Sequence, residues 1–122
     1  MRLAIVQSHP TQYYSPWFRY VQMQAEIELR VYLPIPQLRR QFAAYMGTPT
    51  RARGYPPMEG EHALIVEVAP GLAIERVIDL ALKAVPEVEP GILFVERTFG
   101  YLEMHSLSPA AIRSATSAVL DA

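Results

Sequence analysis

Polar and apolar positions alternate along Glu28-Leu-Arg-Val-Tyr-Leu33, a stretch rich in β-formers, which predicts a strand. A second strand is expected at His62-Ala-Leu-Ile-Val-Glu-Val68, running straight into Ala69-Pro70-Gly71. The pattern then becomes helical over Leu72–Ala84. Gly91–His105 follows, read as the strands Ile92–Val95 and Tyr101–His105 joined by a tight turn at Thr98-Phe99-Gly100. Ser108-Pro109 opens the last helix, an N-cap followed by a proline whose missing N–H costs nothing in the first turn. Upstream, Arg2–Gln7 is a short strand candidate, and Ser15-Pro16 opens a helix carrying Trp17, Phe18, Tyr20, Val21 and Met23. Pro34-Ile-Pro36 ends the Glu28–Leu33 strand. Pro36 is placed as the first residue of a helix through Met46, with Gly47 as its C′ residue. Thr48–Glu61, with its prolines and glycines, reads as a loop. The order predicts an α/β (α+β) domain.

Two helices have unusual faces. Leu72–Ala84 confines its polar residues to Glu75, Arg76, Asp79 and Lys83, a stripe narrower than an isolated surface helix normally shows. Cover on more than one side is therefore expected. The last helix is rich in small residues, Ala110, Ala111, Ala115, Ala118 and Ala122, which allow neighbouring backbones to approach closely. Tight packing between subunits and an ordinary α/β core both account for these faces.

Composition narrows the function classes. A chain of 122 residues is long enough for one domain with a real core and too short for two lobes. A net charge of −1 leaves no basic excess for nucleic acid or an anionic membrane, so neither is an expected partner. The absence of cysteine excludes disulfides, thiolate zinc sites and thiol nucleophiles, and suits a reducing cytoplasm. No apolar run approaches the ~20 residues of a membrane span. Gln7, His9 and Pro10 interrupt the N-terminal run, so no signal peptide is expected.

Candidate chemistry is sparse. His9 sits before a proline in a turn, while His62 and His105 stand at strand ends, where imidazoles are usually solvated. No H-x-x-x-H or H-x-E spacing supplies convergent metal ligands, so no metal, no cofactor and no catalytic residue is assigned. Glu87 and Glu89 flank prolines in a rigid linker and read as solubilising rather than paired. No phosphate-binding glycine loop occurs. The exception is Glu96-Arg-Thr-Phe-Gly100: a phenylalanine at a hairpin tip is out of place in a monomer unless it folds back on its own sheet.

From about residue 28 onward, the chain resembles the bacterial microcompartment shell proteins (the BMC domain) in their circularly permuted form. Ile78-Asp-Leu-Ala-Leu-Lys-Ala84 is similar to the family's first-helix pattern, Gly91–Gly100 to the strand leading into the pore loop, and Ser108-Pro-Ala-Ala-Ile112 to the start of the following helix. The hairpin and its helix come last, as in permuted shell proteins of ethanolamine and propanediol compartments. The resemblance implies a mainly antiparallel four-stranded sheet with flanking helices over residues 27–122, preceded by a strand–helix extension over residues 1–26. It also implies a non-enzymatic shell subunit that forms cyclic homo-hexamers, or pentamers, beside other shell proteins in a cytoplasmic microcompartment. Glu96, Arg97, Thr98, Phe99 and Gly100 would then surround a pore for small metabolites, with Phe99 between subunits and Arg97 and Thr98 nearer the opening. Asp79 and Lys83 would lie at the oligomer edge, Lys83 touching a neighbouring ring.

Residues 3–19, Leu-Ala-Ile-Val-Gln-Ser-His-Pro-Thr-Gln-Tyr-Tyr-Ser-Pro-Trp-Phe-Arg, resemble instead the opening β-α-β of two-lobed, sugar-nucleotide-dependent glycosyltransferases. A truncated enzyme fragment using the Ser8-His9-Pro10 turn is thus the alternative reading. A small ligand-binding oligomer is a third.

Overall fold

The computed structural model describes residues 27–48 and 54–121. The expected extension over residues 1–26, its strand and helix included, lies outside the described residues. Four strands, β1 (Glu28–Ile35), β2 (His62–Ala69), β3 (Glu89–Val95) and β4 (Gly100–Ser106), form one sheet in the order β1-β2-β4-β3. Every neighbouring pair is antiparallel. Helix α1 (Arg40–Gly47) follows β1, α2 (Ala73–Ala84) follows β2, and α3 (Pro109–Leu120) follows β4.

Side-chain alternation gives the sheet two unlike faces. Leu64, Val66 and Val68 of β2 and Leu102 and Met104 of β4 point to one face and are fully buried there. Against them pack Ile74, Val77 and Ala81 of α2 and Ala111, Ile112, Ala115 and Val119 of α3. Each fully buried Leu or Val contributes about 1.5–3 kcal/mol of transfer free energy, so this face holds the domain together. The small residues of α3 find their use here: Ala111 and Ala115 are buried in the chain's own core, while Ala110 is exposed and Ala118 half-buried. Close approach of the two helices accounts for them without a second subunit. Ser108 caps α3 as expected, its Oγ accepting the Ala111 N–H at 3.1 Å with Pro109 in the first turn.

The opposite face is covered at one end by a smaller cluster of Leu38, Ala43 and Ala63, with Ile35 against it. Here the structure corrects the helix expected from Pro36 to Met46, which begins only at Arg40. The preceding backbone is held elsewhere. Leu38 donates its N–H to the Glu61 carbonyl at 2.8 Å and its carbonyl accepts the Gly60 N–H at 2.9 Å. Gln37, between proline and this anchor, takes a φ of 48° and donates its N–H to His62 Nδ1 at 3.3 Å. Gly47 is the last helical residue, not a left-handed C′ residue, and Thr48 caps the helix in a right-handed conformation. Residues 54–61 contain no helix or strand, as expected of the loop.

Candidate functional site

The β3–β4 connection is a four-residue tip, Glu96-Arg97-Thr98-Phe99, closed by the Glu96 N–H donating to the Phe99 carbonyl at 2.8 Å. Glu96, Arg97 and Thr98 are exposed, so the tip presents one acid, one base and one hydroxyl to its surroundings. Phe99 is half-buried and leans on Phe94 of the adjoining strand, ring centres 6.1 Å apart and planes tilted by 31°. It therefore has a partner within its own sheet, although Phe94 stays 49% exposed and the pair remains an apolar patch beside the tip.

Two glycines fix where the tip sits. Gly71, in the β2–α2 connection, donates its N–H to the Arg97 carbonyl at 3.4 Å. A Cβ at Gly71 would fall 2.7 Å from the Phe99 carbonyl oxygen and nearer still to that of Glu96. Reciprocally, a Cβ at Gly100 would meet Ile74 at 2.6 Å and collide with the Gly71 carbonyl. The two backbones touch because neither residue has a side chain. The tip is thereby joined to the start of α2.

Asp79 and Lys83 lie further along the same helix, Lys83 Nζ bonding Asp79 Oδ2 at 2.9 Å with 74% and 43% of the two side chains exposed. The order, acid four residues before base, is the favourable one, and at this exposure the pair is worth a few tenths of a kcal/mol. Lys83 is in the last turn, ten residues from the Ala73 that begins the helix, so about 15 Å of helix separates it from the tip. Tip and lysine thus occupy opposite ends of α2.

On the covered end of the second face lies a polar group that sequence reasoning missed. His105 is not a solvated strand-end residue; its side chain is completely buried. Its Nδ1 lies 3.1 and 3.0 Å from the two carboxyl oxygens of Glu103, which is equally buried. Burial raises the Glu103 carboxyl above its ordinary range. For His105 burial works downward, but the hydrogen bond and charge of Glu103, with Glu61 and Glu89 beyond, carry it above the usual imidazole range. Glu103 and His105 are two apart on one strand and so share a face. The E-x-H spacing was the available signal. Glu89, read as solubilising, comes within 3.8 Å of His105 Nε2.

Residues 29–122 match the family model described as the CsoS1D N-terminal domain. The chain belongs to this family. Its curated relatives include the carboxysome shell protein CcmP of Synechococcus elongatus, 41% identical over 79% of this chain and 44% of the relative. The carboxysome shell protein CsoS1D of Prochlorococcus marinus is 43% identical over 80% of this chain and 37% of that protein. Among solved structures, the double-ringed trimeric shell protein MSM0271 from the RMM microcompartment superposes with a TM-score of 0.71 at 63% identity, over 78% of this chain and 44% of its own. The fused permuted hexameric shell protein MSM0275 gives 0.71 at 48%, over 77% and 45%.

The permuted shell-protein fold expected from the sequence is therefore the one observed, though these relatives come from carboxysomes and the RMM compartment rather than ethanolamine or propanediol compartments. The chain spans less than half the length of the relatives it matches. The glycosyltransferase-like residues 3–19 fall outside both the matched and the described residues.

In this CsoS1D-type domain the glycine contact makes a direct prediction. Gly100→Ala forces its new methyl against Ile74 and the Gly71 backbone, and should destabilise the fold by about 1–3 kcal/mol, the range for overpacking a filled site. A lower midpoint in urea denaturation is the expected result; an unchanged midpoint would show that the tip is free to move away from α2.

Proposed function

We propose that this domain is a structural subunit of a bacterial microcompartment shell, packed side by side into a closed ring of six domain positions around a pore bordered by Glu96–Gly100. The observation that carries the reading is the state of the sheet's two edges. On β1, Val31, Tyr32 and Leu33 are 43%, 46% and 49% exposed, and on β3, Leu93, Phe94 and Val95 are 38%, 49% and 38% exposed. Continuous apolar strips on opposite edges of one sheet are a liability in a monomer and suit contacts between unlike flanks. Such head-to-tail contacts generate rings when the rotation closes. The family supports the same reading, since its members here are shell proteins and one neighbour is called hexameric. Six chains of this length fill the ring, as would three of twice the length; five would keep the ring and change the tiling.

In that ring every tip repeats at equal distance from the axis, so one side chain counts six times. Arg97 and Thr98, both exposed, face the opening, and Phe99 with Phe94 lies toward the neighbouring subunit. A collar of arginines concentrates small anionic metabolites by an effect that salt weakens. Lys83, at the far end of α2 from the tip, lies at the outer rim and contacts the next ring. The role is structural, with no catalysis. The shell-type unit is taken to begin near Ile27, which is buried in the main core, and residues 1–26 form an extension to it. Among the described residues no helix is long and apolar enough to cross a membrane.

Arg97→Glu should leave a hexamer intact by native mass spectrometry and reverse the charge preference of small ions crossing a reconstituted layer. Indifference of permeation to that change means the tip is not the gate, and a stable monomer means there is no ring. Lys83→Ala should also keep hexamers but abolish the sheets or tubes seen by electron microscopy; dissociation of the hexamers themselves would put Lys83 at the wrong interface.

A further inference from the structure

The Glu103–His105 pair leads into a cluster that neither the fold nor a pore requires. His105 Nδ1 is occupied by Glu103, but Nε2 is buried and has no hydrogen-bond partner. A buried ring nitrogen left in that state is costly, and such atoms are rare in native proteins. It points at carboxylates: Glu89 Oε1 is 3.8 Å away, and one ligand atom each from Glu61, Glu89 and His105 lie within 4.8 Å of one another.

We propose that Glu61, Glu89 and His105 bind a divalent transition-metal cation, zinc for preference. An imidazole nitrogen and two carboxylate oxygens are the donors that borderline cations take at about 2.0–2.2 Å. A 3.8 Å gap between Nε2 and Glu89 Oε1 is close to what a cation bonded to both would span. The rest of the arrangement is what metal sites build around a ligating histidine. With Nε2 on the metal, Nδ1 carries the proton and donates it to Glu103, which fixes the ring's tautomer and orientation. Gly91 makes room for this, since a Cβ there would strike the Glu103 carboxyl. Glu61 is held as well, its Oε1 accepting the Met58 N–H at 2.8 Å, and is only 7% exposed. Glu89 is half exposed, so it can close on the ion and leave a coordination position for solvent.

The three ligands come from different parts of the chain. Glu61 ends the 54–61 loop, Glu89 begins β3 and His105 is near the end of β4. The loop is already joined to β3 by the Tyr55 N–H donating to the Pro90 carbonyl at 3.0 Å. A cation would clamp the loop to the base of the hairpin, at the end opposite the tip. Its role is structural, and it does not depend on ring formation.

The test uses the full chain, stripped with a chelator and titrated with zinc by calorimetry, with bound metal counted by elemental analysis. The expected result is one zinc per chain and a rise in melting temperature on adding it. Glu89→Gln, at a half-exposed position that the fold does not need, should weaken binding at least tenfold and remove the thermal shift, and His105→Gln should do the same. His62→Gln, at a histidine outside the cluster, should bind as the parent does. No zinc bound at micromolar concentration would overturn the proposal, leaving His105 simply protonated among its carboxylates. Undiminished binding in Glu89→Gln, or loss in His62→Gln instead, would overturn it equally by placing the ion elsewhere. Should His105→Gln fail to fold, Glu89→Gln alone decides.

Discussion

The contact on which the rest depends is the meeting of two backbones at Gly71 and Gly100. It is made of little: one N–H to the Arg97 carbonyl, a missing Cβ at Gly71 against the Glu96 and Phe99 carbonyls, and a missing Cβ at Gly100 against Ile74 and the Gly71 carbonyl. Yet it joins a hairpin tip of exposed polar residues to the start of a helix packed in the main core. A free β-hairpin tip moves easily, and a pore lined by mobile loops would have no defined radius or charge. Here the position of Arg97 and Thr98 is inherited from buried Ile74 and Val77 on α2. The proposed pore is therefore as well defined as the core behind it.

The same helix would set the distance from pore to rim in the proposed ring. Its first turn holds the tip and its last turn carries Lys83, so one rigid element relates the proposed axis to the proposed rim. The sheet runs between two apolar edges, and burying them against neighbours would remove the exposed strand edges that a monomer leaves open. Assembly would then satisfy a requirement of the fold. The polar cluster at Glu61, Glu89, Glu103 and His105 lies at the other end of the hairpin, away from the proposed pore.

Much of the fold was legible because periodicity and turn chemistry agreed. Among the described residues the strands, α2 and α3, the Ser108 cap and the tight turn fall near where alternation, proline placement and glycine predicted them. But β1 runs on through Pro34 and Ile35, which were expected to end it, and β3 begins at Glu89, in the stretch read as a linker, because both segments pair with their neighbouring strands. The missed start of α1 has a tertiary cause: Pro36 could have opened a helix, but buried Leu38 and its two bonds to the 60–61 backbone pull the chain away first. His105 was missed because a strand end in sequence need not be an edge in space. β4 is central in the sheet, and α1 with the 54–61 loop folds over its end. Phe99 was legible only as a choice between its own sheet and a neighbour. The structure shows its contact with Phe94 in its own sheet.

The central claim is that the tips meet around an axis. The chain has no cysteine, so Thr98→Cys introduces a single thiol at an exposed tip position. Treating that variant with a flexible bis-maleimide should convert most of the chain into covalent dimers, with a yield that holds on dilution because the partner belongs to the same ring. If the variant stays monomeric on a denaturing gel while native mass still reports a hexamer, the tips do not surround the pore and the account is wrong.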